Sequence, residues 1–99
     1  MKYQVAKDKA KRALVQRQEM RRLKHRFIIR NTKFPMSYRW HHCIKLSRLS
    51  RNGSKVRVKN RCILTGRAKS VHRQFKISRI ALRELASMGL INGVMKSSW

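Results

Sequence analysis

The sequence is short of carboxylates. Asp8, Glu19 and Glu84 stand alone against 27 lysines and arginines in 99 residues, for a formal net charge of +24. At least 24 cations therefore have no partner within the chain, and their repulsion opposes compaction until an external polyanion offsets it. The same scarcity argues against an enzyme. No pair of carboxylates, and no nucleophile, base and orienting group at recognisable spacing, is available for acid/base or covalent chemistry. Long apolar runs are also missing: the longest are three or four residues, far from the roughly 18 to 20 needed to cross a bilayer. Neither a membrane partner nor a small-molecule substrate is expected. Two cysteines, Cys43 and Cys62, could close at most one bridge, and no signal-peptide pattern precedes them, so a reducing compartment fits. The length allows one small domain or less, with a marginal core of its own. Nucleic acid is the leading partner.

What is present is helix-forming and basic. Residues 3–29 lack glycine and proline and are dominated by Ala, Lys, Arg, Gln, Leu and Met, which predicts a long helix. Its stripe of Ala6, Ala10, Ala13, Leu14, Leu23 and Phe27 is narrow, so residues 1–30 read as a basic helical extension lying against RNA. Asn31 and Pro35 mark its end. Asp8, Glu19 and the lack of serine before Ser37 make the first residues a poor match to a transit peptide, so a functional N-terminus is expected at the start.

Residues 31–56 read as an extended RNA-binding linker punctuated by Pro35 and by "NG" at 52–53. Phe34, Tyr38 and Trp40 interleave with cations there, suiting either stacking on unpaired bases or a local cluster against the helix. The alternation in "KVRVKN", 55–60, predicts a short strand showing Lys55, Arg57 and Lys59 on one side. "TG" at 65–66 predicts a turn, with Gly66 free to take positive φ. A hairpin over about 57–73 follows, within a last segment of 57–99. The clearest helix is 78–88, capped by Ser78 and stopped by Gly89. Its stripe of Ile77, Ile80, Ala81, Leu85 and Met88 is expected to pack on Ile63, Val71 and Phe75. Glu84 is expected to neutralise a nearby arginine. The final "LINGVMKSSW" ends on Trp99, expected to dock on RNA or a neighbouring protein. The fold class is thus mostly α with a small hairpin: long basic helix, extended linker, knuckle-like hairpin, short helix and tail, without an independent globular core.

Cys62 and Thr65, then, after twelve intervening residues, Ser78 and Ala81, have the spacing of two C-x-x-C pairs. Tetrahedral zinc needs thiolate or imidazole at such positions, and a hydroxyl and a methyl do not serve. "HHC" at 41–43 lies about twenty residues upstream, in the expected linker, so no metal and no cofactor are expected.

These positions carry a resemblance. Arg51-Asn52, Asn60-Arg61-Cys62, Thr65-Gly66-Arg67, Arg73 with Phe75, Ser78-Arg79-Ile80, Arg83-Glu84-Leu85, Gly93-Val94 and the terminal Lys96-Ser97-Ser98-Trp99 resemble the C-terminal half of the universal small-subunit ribosomal protein fourteen family. The likeness is specific over about half the chain and looser over residues 1–50. The length resembles the family's long, zinc-free form. In zinc-binding relatives cysteines stand where this chain has Cys62, Thr65, Ser78 and Ala81. The resemblance therefore implies a turn and helix start held by Thr65 and Ser78, with Cys62 and Ala81 packed as small apolar groups.

The resemblance further implies a structural protein of the small-subunit head that binds and organises rRNA near the decoding site. Its neighbours would include the third, tenth and nineteenth small-subunit proteins. The phosphate-facing set would be Arg51, Arg57, Lys59, Arg61, Arg67, Lys69, Arg73, Arg79, Arg83 and Lys96, with Trp99 docking and Phe75 anchoring the packing; Cys62, Thr65, Gly66, Phe75, Ser78 and Ala81 are structural. The "SSW" ending and "NRCILTGRAKSV" look organellar, implying a mitochondrial ribosome in the matrix, with bacterial cytoplasm or plastid as alternatives. The competing functional class is an independent nucleic-acid-binding module, which would fold cooperatively alone.

Overall fold

An uninterrupted run of strong helix formers becomes a single unbroken helix. The computed structural model describes residues 2–99, in which α1 spans Lys2–Arg30. Beyond it, Asn31 Oδ1 accepts from the Lys33 amide at 3.0 Å, a local turn that competes with helix propagation. The inward face of α1 differs from the expected stripe. Ala6, Ala10, Ala13, Leu23 and Phe27 are exposed, whereas Leu14, Val15, Gln18, Arg22, His25, Ile28 and Ile29 are buried or half-buried. Their spacing is still helical, but polar members occupy it and hide the period from a hydrophobic count.

The expected extended linker is not extended. A second helix, α2, spans Met36–Ser47, started by Pro35, whose fixed φ suits the edge of a first turn and whose carbonyl accepts from the Arg39 amide at 3.1 Å. Arg39, His42, Ile44 and Leu46 are its less exposed positions, and Leu49, just beyond its end, is half-buried as well. The "KVRVKN" strand is likewise absent: Arg51–Gly53 and Lys55–Arg57 are two single turns of 3₁₀ helix. Local i→i+3 bonds, such as Ser54 N to the Arg51 carbonyl at 3.3 Å and Val58 N to the Lys55 carbonyl at 3.2 Å, replace a strand ladder.

The hairpin lies later than expected. Strands β1, Val71–His72, and β2, Ile77–Ser78, pair antiparallel with Val71 opposite Ser78 and His72 opposite Ile77. Lys76, at φ 59°, turns the chain between them. Residues 62–67 form a separate tight turn, in which the Gly66 amide donates to the Cys62 carbonyl and the Cys62 amide to the Arg67 carbonyl, both at 2.9 Å. Gly66 has φ 79°, the positive value expected of it.

Helix α3, Arg79–Ser87, follows directly on β2. The Ser78 hydroxyl caps it, accepting from the Ala81 amide at 3.3 Å. At its other end Gly89 takes φ 70°, while Leu90 N donates to the Leu85 carbonyl and Gly89 N to the Ala86 carbonyl. This is a full Schellman closure. The core comprises Cys62, Ile77 and Ala81, with Phe75, Leu82, Leu85 and Ile91 packed on it. Ile63, Ile80 and Met88, expected inside, are exposed. The helix turns toward its Leu82 side, and Met88 sits at the C-cap, where the chain already leaves the helix.

Two compact units result. One is residues 59–99 with the start of α1 as far as Ala6; the other is Lys7–Val58.

Candidate nucleic-acid interface

In the unit of residues 59–99, the four positions of the knuckle spacing converge. Cys62 is buried, and its Sγ accepts from the Thr65 amide at 3.4 Å. Burial pushes the thiol pKa up, but the Thr65 hydroxyl and the amides of Thr65, Ser78 and Leu64 outweigh that effect and bring it to about 6. Cys62 is thus more than a small apolar filler: a ring of N–H and O–H donors favours its thiolate form. Ser78 is 1% exposed and Ala81 4%, so both fill the volume beside the sulfur. Within the turn, Thr65 contacts the Cys62 sulfur through both its amide and its hydroxyl. With one thiolate, two hydroxyls and a methyl, this donor set does not fit zinc. Among the described residues no three His, Cys, Asp or Glu side chains gather in a way that could hold a metal ion.

Around this frame stand the expected cationic residues. Lys69, Arg73, Arg79, Arg83 and Lys96 are exposed, as is Lys59, and Trp99 is fully exposed. Arg61 and Arg67 are half-buried. Arg61 divides its guanidinium between the Gly66 carbonyl and the Gln4 side-chain oxygen, each at 2.9 Å, so it braces the turn. Arg67 keeps a buried Nε with no partner. Phe75 is half-buried against the core, where packing was expected of it. Glu84 shows no ion pair with a described residue, whereas Asp8 pairs with Arg12 at 2.8 Å.

The unit of residues 7–58 holds the other two members of the set. Arg51 is exposed, while Arg57 is half-buried and donates to Asn52 Oδ1 at 2.7 Å. The helices α1 and α2 form a hairpin closed by polar side chains. His25 Nδ1 and His42 Nδ1 are 2.9 Å apart, a distance at which one ring donates and the other accepts. Both pKa values lie below the usual histidine range. Burial is the main cause for each, followed by Lys45 and Lys24 for His25, and by His25, Lys45, His41 and Lys24 for His42. Arg39 Nε reaches the Ile29 carbonyl at 2.9 Å, and an Arg22 Nη reaches the Ser50 carbonyl at 3.1 Å. Of the three aromatic rings in this stretch, Phe34 and Tyr38 cluster, with Tyr38 edge-on to His42 at 4.7 Å, whereas Trp40 is 65% exposed. Of the two fates the sequence left open, Phe34 and Tyr38 take the local cluster. Sequence reasoning passed over the exposed cations Arg17, Arg21, Lys24 and Arg26 as individual site residues. Their signal, a basic residue on nearly every turn of α1, was read only as a property of the helix.

Cations arrayed on small frames braced by hydrogen bonds mark a strongly basic, structural class of protein. Residues 45–98 match the family model described as Ribosomal protein S14p/S29e. The chain is 46% identical over 99 residues, all of both chains, to "Small ribosomal subunit protein uS14m" of Marchantia polymorpha. It is 47% identical over 98 residues to "Small ribosomal subunit protein uS14" of Rhodospirillum centenum, covering 99% of this chain and 97% of that one. The same figures hold for the protein of that name from Roseobacter denitrificans. The chain belongs to the S14p/S29e family of ribosomal proteins.

Proposed function

We infer that this chain is a structural constituent of the small ribosomal subunit, binding and organising rRNA without a catalytic step of its own. The observation that carries this reading is family membership over the full chain combined with a charge of +24 on a frame that pairs so little of it. Phosphate contacts fall to Arg51, Arg67, Lys69, Arg73, Arg79, Arg83 and Lys96, with Arg57, Lys59 and Arg61 contributing whatever their internal contacts leave free. Trp99 and Trp40 are, with Tyr3 and Phe27, exposed rings able to stack on a base or dock against a neighbouring protein. A place in the subunit head near the decoding site, beside the third, tenth and nineteenth small-subunit proteins, follows from the family resemblance. The mitochondrial matrix is the compartment suggested by the "SSW" ending and by the plant mitochondrial relative; the bacterial relatives, equally similar, support the alternative of a bacterial cytoplasm.

Co-sedimentation with small subunits tests this. The chain is expected to stay bound until high salt. Isolated rRNA fragments should lose about three to five decades of affinity over a fourfold rise in salt if roughly six to ten phosphates are engaged. A flat salt response, or absence from the small-subunit fraction, overturns the reading.

A further inference from the structure

Within the unit of residues 7–58, one face of α1 carries Val15, Glu19, Arg22, Leu23 and Arg26. The two 3₁₀ turns set Gly53 to Val56 against it, leaving an open cavity of about 340 Å³. That is the low end of the range for small-ligand sites, about 300–1,000 Å³, and suits one nucleotide but not a duplex. Its walls are mixed. Val15, Leu23 and Val56 are apolar, and Val56 is 92% exposed, an apolar side chain left in water where an aromatic base would cover it. Arg22, Arg26 and Lys55 supply positive charge. The Arg22 guanidinium holds the Ser50 carbonyl with one Nη, while its Nε is buried with no partner.

Glu19 sharpens the identity of the ligand. In a chain with 27 lysines and arginines its carboxylate forms no ion pair among the described residues, although Arg22 and Arg26 line the same cavity. A carboxylate here repels a bare phosphate, so the ligand must combine phosphate charge with N–H donors. Guanine presents N1–H and the exocyclic amine side by side, matching two carboxylate oxygens. Adenine and cytosine offer an exocyclic amine without an adjacent ring N–H, and uracil a ring N–H without an amine. We propose that this cavity receives one unpaired guanosine of the small-subunit rRNA. Glu19 accepts from its N1–H and exocyclic amine, Val15, Leu23 and Val56 cover the base, and Arg22, Arg26 and Lys55 take the flanking phosphates. This rests on the ribosomal reading above and names a ligand for a face which that reading leaves unassigned.

Kethoxal, which adds to N1 and the exocyclic amine of accessible guanines, provides the test on small subunits reconstituted with the full chain. Wild-type protein is expected to protect one unpaired guanine. Glu19→Gln should raise its reactivity at least fivefold at equal incorporation, while Glu84→Gln, the same change of charge outside the cavity, leaves it protected. A second arm keeps the wild-type chain and places inosine, which lacks the amine, at the protected guanine; retention in high salt should fall at least fivefold. No protected guanine, equal exposure by both variants, or undiminished retention on the inosine rRNA overturns the guanosine proposal while the ribosomal reading stands. Failure of the wild-type chain to incorporate at all overturns that reading itself.

Discussion

The two units solve the same problem, closing a small frame under heavy positive charge, by different means. Residues 59–99 close with backbone hydrogen bonds of short sequence separation around a core of Cys62, Ile77 and Ala81. Residues 7–58 close with side chains: the His25–His42 contact, Arg39 on the Ile29 carbonyl, Arg22 on the Ser50 carbonyl and the buried Gln18. The first arrangement depends on volume and cap geometry, the second on protonation and the fit of polar groups. The difference teaches that polar side chains can organise a cationic chain where apolar residues are few, even with Gln18 Oε1 and Arg22 Nε left buried without a partner.

Hydrogen exchange followed peptide by peptide on the RNA-bound chain reads each unit separately and can break this contrast. The largest loss is expected from Ile77→Ala, about 2–5 kcal/mol of protection confined to residues 59–99, since it empties the centre of the smaller core. If residues 7–58 lost as much, the units would not be independent. Gly53→Ala comes next, at about 1–3 kcal/mol and confined to 7–58. The new Cβ meets the Gln18 carboxamide, with its carbon only 2.6 Å away, and Gln18 is itself buried. Ser78→Ala should cost about 1–2 kcal/mol through loss of the α3 cap, with Ser78→Thr recovering part of it. Gly89→Ala should cost about 1 kcal/mol; nothing stands near its missing Cβ, so the cost is that of φ 70° alone.

The gentlest probe is pH. His25 and His42 have folded pKa values below the unfolded one, so the folded state binds fewer protons, and the stability they contribute is complete above about 6.5 and declines as pH falls below it. Protection of residues 7–58 should therefore decrease from about pH 6.5 to 5. His42→Gln should flatten that decline. A decline of equal size in residues 59–99 would contradict the contrast.

How much of this was legible in the sequence divides along the same line. The α3 cap, the Gly66 turn, the Gly89 stop and the burial of Cys62 and Ala81 could be read because each depends on a residue type at a fixed local offset. The hairpin was placed too early because its turn uses Lys76 at positive φ, a position where glycine or asparagine is the usual signal. Helix α2 was missed because Arg39 and His42 occupy inward positions where a hydrophobic count expects aliphatics. The stripe of α1 was misplaced for the same reason at Gln18, Arg22 and His25. Among the expected phosphate ligands, the bracing bonds of Arg57 and Arg61 were not legible, because their partners depend on tertiary closure; for Gln4 and Arg61 that means 57 positions of separation.

The hydroxyl-capped turn at Cys62 and Ser78 has a consequence for supply. A knuckle closed by an ion can be completed no faster than the ion is delivered, and every copy withdraws one atom from the cell's pool. Here three amides and the Thr65 hydroxyl of the chain itself stand around the sulfur. A turn closed this way calls on no ion to complete the hydrogen bonds around the sulfur.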